Sequence, residues 1–173
     1  MSAAPFITAP AAPLLALIAF VDFRQRRIPN AFVLALIGLA AARIGFGGDL
    51  QNAIRDLGSA ALVFVGVVLL WRSNWLGGGD AKFIFAGALL VGAKAVPTFL
   101  LATCLCGGVL GLVAITDYLL ASKLGVLAGM FGRTPKATQS TPLLKGPVTV
   151  PYGIAISFGC LWALLPIFTT LAR

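Results

Sequence analysis

The chain has 173 residues, 60% of them hydrophobic and only 10% charged, with a mean hydropathy of +1.01 and a net charge of +8. A soluble domain carries about 25% charged residues, so water does not solvate this surface and lipid must. The positive charge needs no nucleic-acid partner, because the basic residues stand between apolar runs, where the cytoplasmic bias of Lys and Arg in membrane proteins accounts for them.

At about 20 apolar residues per crossing, the sequence reads as one all-α, polytopic membrane domain over 1–173, with about six transmembrane helices. Spans are predicted near 5–21, 31–46, 57–71, 81–96, 98–120 and 152–171. No Lys or Arg precedes the first apolar run, and Arg24, Arg26 and Arg27 follow it. That is the reverse of a cleavable signal peptide, and predicts a retained span with its N-terminus outside. Ile28-Pro29-Asn30 starts the second span, with Pro29 suited to a first helical turn. Gly47, Gly48, Asp49, Gln51, Asn52 and Asp56 read as a short, solvated external loop. The run Gly77-Gly78-Gly79 leads into the fourth span, which Asp80 opens. The first and fourth spans are short for a full crossing. Gly107 and Gly111, at GxxxG spacing in the fifth, allow close helix packing. Cys104, Cys106 and Cys160 lie inside apolar runs without zinc-ligand spacing and read as buried packing residues. In the loop 121–150, a candidate lid, Ser122 to Phe131 reads as an interfacial segment and the remainder as a solvated connection. This topology puts nine of the 13 basic residues on the cytoplasmic side and four opposite, as the charge bias requires.

Ionisable groups at membrane depth are expensive and mark function. The chain has no histidine or glutamate, and its acids are Asp22, Asp49, Asp56, Asp80 and Asp117. External solvation accounts for Asp49 and Asp56. Asp22 ends the first span and Asp80 opens the fourth; because these spans run in opposite directions, both acids fall on the cytoplasmic side. Two close carboxylates that share one proton can activate water and protonate a leaving amine. The alternatives are an ion pair of Asp22 with Arg24, Arg26 or Arg27, and a helix N-cap role for Asp80. Asp117 supports the pair or pairs with Lys123. A reading of another class is a small transporter or channel component that relays protons through Asp22, Asp80 or Asp117; acids gathered near one face favour hydrolysis.

The segments Asp22-Phe23-Arg24-Gln25-Arg26-Arg27-Ile28-Pro29-Asn30 and Gly77-Gly78-Gly79-Asp80-Ala81-Lys82 resemble the two active-site motifs of the type IV prepilin peptidase family, a branch of the GxGD membrane aspartic proteases. Pro151-Tyr152-Gly153-Ile154-Ala155 is similar to the start of that family's final span. The resemblance implies a catalytic pair of Asp22 and Asp80. Gly77, Gly78, Gly79, Lys82, Pro29 and Asn30 would shape the site or the substrate path. Glycines permit close backbone approach, and Lys82 is either a snorkelling anchor or a cation that holds Asp80 ionised. The implied activity is aspartic endopeptidase cleavage of type IV or Flp-type prepilin leaders at the cytoplasmic face of the bacterial inner membrane. No metal or other cofactor and no covalent intermediate are implied. The partners implied are a prepilin with a basic leader and an apolar helix, and the lipid bilayer, with no nucleic acid. Larger members add a cytoplasmic segment with paired cysteines and N-methylate the new pilin terminus. This chain lacks that segment and is closest to the short forms serving Flp-type pili, so methylation is not expected.

Overall fold

A computed structural model describes residues 10–25, 28–47, 49–130 and 152–171, with the helix backbone alone over 117–130 and 167–171. Among these residues there are six helices and no strand: α1 (Ala11–Gln25), α2 (Asn30–Phe46), α3 (Leu50–Arg72), α4 (Gly78–Val91), α5 (Val96–Met130) and α6 (Tyr152–Leu171). Two segments are long and apolar enough to cross a membrane, Leu50–Arg72 and Val96–Thr116; Asn30–Phe46 and Tyr152–Pro166 are apolar but shorter. At 14 residues, α4 is about 21 Å long, less than the roughly 30 Å of a hydrocarbon core.

The shortest helix is the innermost. On α4, Phe83, Ile84, Ala86, Gly87, Ala88, Leu90 and Val91 are buried, because the helix packs against α2, α3 and α6 and touches α5. Small residues make this possible. A Cβ on Gly87 would lie 2.7 Å from the Cys160 Sγ of α6 and 3.0 Å from the Phe99 ring of α5. Helices in lipid gain little from apolar burial alone, so such close fit supplies the association. Around this centre, α6 packs against α5, α1 and α4. Gly107 faces the Tyr152 ring, 2.9 Å from its would-be Cβ, whereas Gly111 has nothing within 4 Å. The glycine pair therefore contributes one packing contact inside the chain. In contrast, α3 buries only Ala60, Val63 and Val67 and turns Leu62, Phe64, Val65 and Leu69 outward. Those side chains are suited to lipid contact.

The connections are tight. Asp49 caps α3 by accepting from the Gln51 N–H at 3.0 Å. At the other end of α3, Trp75 N–H donates to Leu70 and Asn74 N–H to Trp71, both at 3.0 Å. Asn74 adopts φ 58°, so this is a Schellman cap with Asn in the left-handed position that ends the helix. The chain then reverses into Gly77, the N-cap of α4.

Several boundaries differ from those predicted. α3 begins at Leu50, so Arg55 and Asp56 are helical and the external loop shrinks to a turn. Asp56 is not simply solvated: it pairs with Arg43 of α2 at 2.6 Å and accepts from the Ala93 N–H at 2.7 Å. Arg43 also donates to the Leu89 carbonyl at 3.3 Å. Gly92, at φ 80°, is required here, since a Cβ would lie 3.0 Å from the Arg43 guanidinium. Pro29 is the N-cap rather than the first helical residue of α2. α5 continues as helix to Met130, through most of the segment read as interfacial. Cys160 is buried as expected, but Cys104 is exposed and Cys106 only half-buried. Residues 1–9, Gly48, the part of the candidate lid 121–150 from Phe131 onward, and the side chains of Asp117 and Lys123 lie outside the described residues.

Candidate active site

Asp22 is placed by periodicity. The buried positions of α1 are Ala11, Leu15, Ile18 and Asp22, one stripe at helical spacing. The fourth member is a carboxylate, only 5% exposed, where the pattern of its predecessors calls for an apolar side chain. It lies inside α1, three residues before Gln25, rather than at the end of the helix. Its Oδ2 accepts a hydrogen bond from the Gly153 N–H of α6 at 2.9 Å. Gly153 belongs to the first turn of α6, so the donor is one of the N–H groups a helix leaves unpaired at its start. The fit is close: a Cβ on Gly153 would lie 2.6 Å from that Oδ2 and 2.7 Å from Cγ. Only glycine accommodates the carboxylate there.

Asp80 comes from the opposite direction. It stands just ahead of the apolar run of α4, which begins at Ala81, in the first helical turn. Gly77, not Asp80, is the N-cap, so the capping alternative does not hold. Asp80 lies on the stripe that continues through Ile84 and Gly87, the face that meets α6. α4 and α6 both start at this end of the bundle. Asp80 precedes Gly87, and Gly153 precedes Cys160, by the same two helical turns. Since Gly87 and Cys160 are in contact, Asp80 stands level with Gly153 and hence with Asp22. The electrostatics agree with this placement. Burial, and then the negative charge of Asp22, push the Asp80 carboxyl from 3.8 up to about 6. The helix start at which Asp80 sits favours its charged form, so burial and like charge outweigh that effect.

The other predicted residues differ in how near they come. Gly77 is close: its would-be Cβ lies 3.0 Å from Asp80 Oδ2. Gly78 backs onto the Trp71 indole, 3.3 Å from Nε1, while Gly79 has open space around it. Lys82 is exposed and forms no ion pair with Asp80. Pro29 and Asn30 are exposed at the start of α2. Arg26, Arg27 and Pro151 lie outside the described residues. The contact sequence reasoning missed is Gly153 on Asp22. Pro151-Tyr152-Gly153 stands out in the sequence as a motif, but only a tertiary contact gives the glycine its task.

The bundle thus has two polar ends, one with Asp22, Asp80 and Gly153 and the other with Arg43, Asp56 and Gly92. The model of the type IV leader peptidase family matches residues 10–112, which include both aspartates. The chain belongs to that family. Membership makes it a peptidase, a hydrolase associated with the membrane, of the leader peptidase type. No curated protein and no solved structure matches the chain.

Proposed function

We propose that this leader peptidase is an aspartic endopeptidase that removes the leader from type IV or Flp-type prepilins at the cytoplasmic face of the inner membrane. In this reading all six helices form one membrane domain with the N-terminus outside, and Asp22 and Asp80 are the catalytic pair. The observation that carries it is the convergence of two acids, from helices running in opposite directions, closely enough for the charge of one to raise the pKa of the other. A coupled carboxyl pair holding one proton has both groups that hydrolysis needs, a base for water and an acid for the departing amine. A cytoplasmic site would suit a substrate whose basic leader stays in the cytoplasm while its apolar helix lies in lipid. Gly77 leaves room for the Asp80 carboxylate itself, since a Cβ there would lie 3.0 Å from its Oδ2. The far-end Asp56 is committed to Arg43, so the described acids form no ladder suited to a proton relay.

The test is co-expression with candidate prepilins from the same genome, with leader removal scored by intact mass. Loss of the leader mass only with the active chain supports the reading. Unprocessed prepilins throughout, with enzyme and substrate both in the membrane, would overturn it.

A further inference from the structure

Two carboxylates that share a proton need not share it equally, and the surroundings of this pair are asymmetric. Asp22 is almost fully buried yet accepts an N–H bond from Gly153, at the start of a 20-residue helix. A backbone N–H donates only to an acceptor, and it favours the ionised carboxylate over the acid. The partial positive charge of the helix start acts in the same direction. Asp80 is half-buried and accepts no hydrogen bond from any described residue.

We infer that Gly153 is a positioning residue that holds Asp22 as the ionised base, leaving Asp80 to carry the proton and act as the acid. This assignment rests on the aspartic peptidase reading and divides the chemistry within it. Asp22 takes a proton from water as the water oxygen bonds to the scissile carbonyl carbon, and Asp80 gives its proton to the carbonyl oxygen. Collapse of the gem-diol breaks the C–N bond. The proton on Asp22 then passes to the leaving nitrogen while a diol proton returns to Asp80, which restores both groups. Asp80 is pushed up by burial and then by the negative charge of Asp22, and this second cause has Asp22 as the charged member of the pair.

The charged and titratable neighbours do not reverse it. Arg24 on α1, Arg72 on α3 and Lys82 on α4 are all exposed, and Arg24 lies over the Phe20 ring. α2 carries only Arg43, at the far end, and the described side chains of α5 include no acid or base beyond Cys104 and Cys106. α6 contributes Tyr152, half-exposed at its start, and the distant Cys160.

The composition makes a direct test feasible: with five aspartates and no glutamate, protonated side-chain carboxyls can be followed individually by isotope-edited infrared spectroscopy. The full chain, labelled at Asp carbonyls and without substrate, is titrated in lipid nanodiscs. A protonated-carboxyl band should persist at pH 5, survive in Asp22→Asn and vanish in Asp80→Asn. Survival in Asp80→Asn with loss in Asp22→Asn would overturn the assignment. Because no substrate is used, this result is independent of whether prepilins are cleaved. The positioning role is read in Gly153→Ala, whose added methyl displaces the Asp22 carboxylate. The acidic limb of the cleavage profile should move up by about one pH unit, a roughly tenfold loss on that limb. A folded Gly153→Ala enzyme with both limbs unmoved would overturn that role. If this variant does not fold, the comparison of the two Asp→Asn variants decides the division of labour alone.

Discussion

Asp56 offers the sharpest separation of stability from chemistry. It ties α3 to α2 and to the turn between α4 and α5, at the end of the bundle opposite Asp22 and Asp80, through the 2.6 Å pair with Arg43 and the 2.7 Å bond from Ala93 N–H. Both side chains are mostly buried, 16% exposed for Arg43 and 13% for Asp56. Breaking a fully buried pair from one side costs about 3–5 kcal/mol, because the remaining charge is left uncompensated. Partial exposure lowers that figure, while loss of the Ala93 bond adds about 1 kcal/mol. We expect Asp56→Ala to destabilise the protein by about 2–4 kcal/mol. Asp56→Asn should lose less, since its amide oxygen can still accept from Ala93. Cleavage per folded molecule should stay unchanged in both. The assay combines thermal unfolding in detergent with single-turnover cleavage, normalised to the folded fraction. An undiminished melting temperature in Asp56→Ala would refute the latch. A well-folded Asp56→Asn enzyme that had lost cleavage would refute the separation of the two ends.

Asp22→Asn and Asp80→Asn should each insert normally and cleave at least about a hundredfold more slowly, as expected when an acid–base group is lost; single-turnover rates on purified prepilin check this. Gly77→Val should damage cleavage far more than Gly79→Val, because a Cβ at 77 falls 3.0 Å from Asp80 Oδ2 and one at 79 meets nothing within 4 Å. Equal effects in the same assay, at equal expression, would show that open space at Gly79 is needed by the substrate instead.

The all-helical character, the six helices of the described residues and the choice of Asp22 and Asp80 as candidates follow from local properties of the sequence. Apolar runs separated by charged turns mark the elements, and the scarcity of acids makes Asp22 and Asp80 conspicuous. Helix ends were less legible. Asp56 reads as loop because glycine and the polar Asp49, Gln51 and Asn52 precede it; its Arg43 partner lies 13 residues away on another helix. Asp49 caps α3 earlier than the apolar pattern suggests. Gly79 and Gly77 look alike in sequence, yet only Gly77 approaches a carboxylate. Gly153 lies 131 residues from Asp22, and no local pattern signals that one backbone N–H there serves an acid at the other end of the chain.

The pH dependence of cleavage follows from the coupled pair and can be worked through with its sign. If one proton on the pair is required, activity is lost in acid, where both carboxyls are protonated, and lost again as Asp80 gives up its proton. With Asp80 raised to about 6 by burial and by the Asp22 charge, the upper limb of the substrate-free enzyme should fall near pH 6. That is well above the roughly 3.9 of a free aspartate. The midpoints belong to the pair and not to either residue. Stability moves through the same window. The folded chain binds a proton on Asp80 that the unfolded chain releases near 3.8, so this contribution is fully present below 3.8 and is lost as pH rises through about 6. Asp80→Asn should therefore flatten the stability slope between those values, which requires no substrate and no cleavage. The measurements are kcat/KM for a purified prepilin and unfolding free energy in detergent, both across pH 3–8, with folded protein quantified at each point. A kcat/KM independent of pH across the acidic range, with chemistry rate-limiting, would refute the shared proton even if both aspartates proved essential. An unchanged stability slope in Asp80→Asn would instead show that burial and Asp22 do not hold a proton on Asp80.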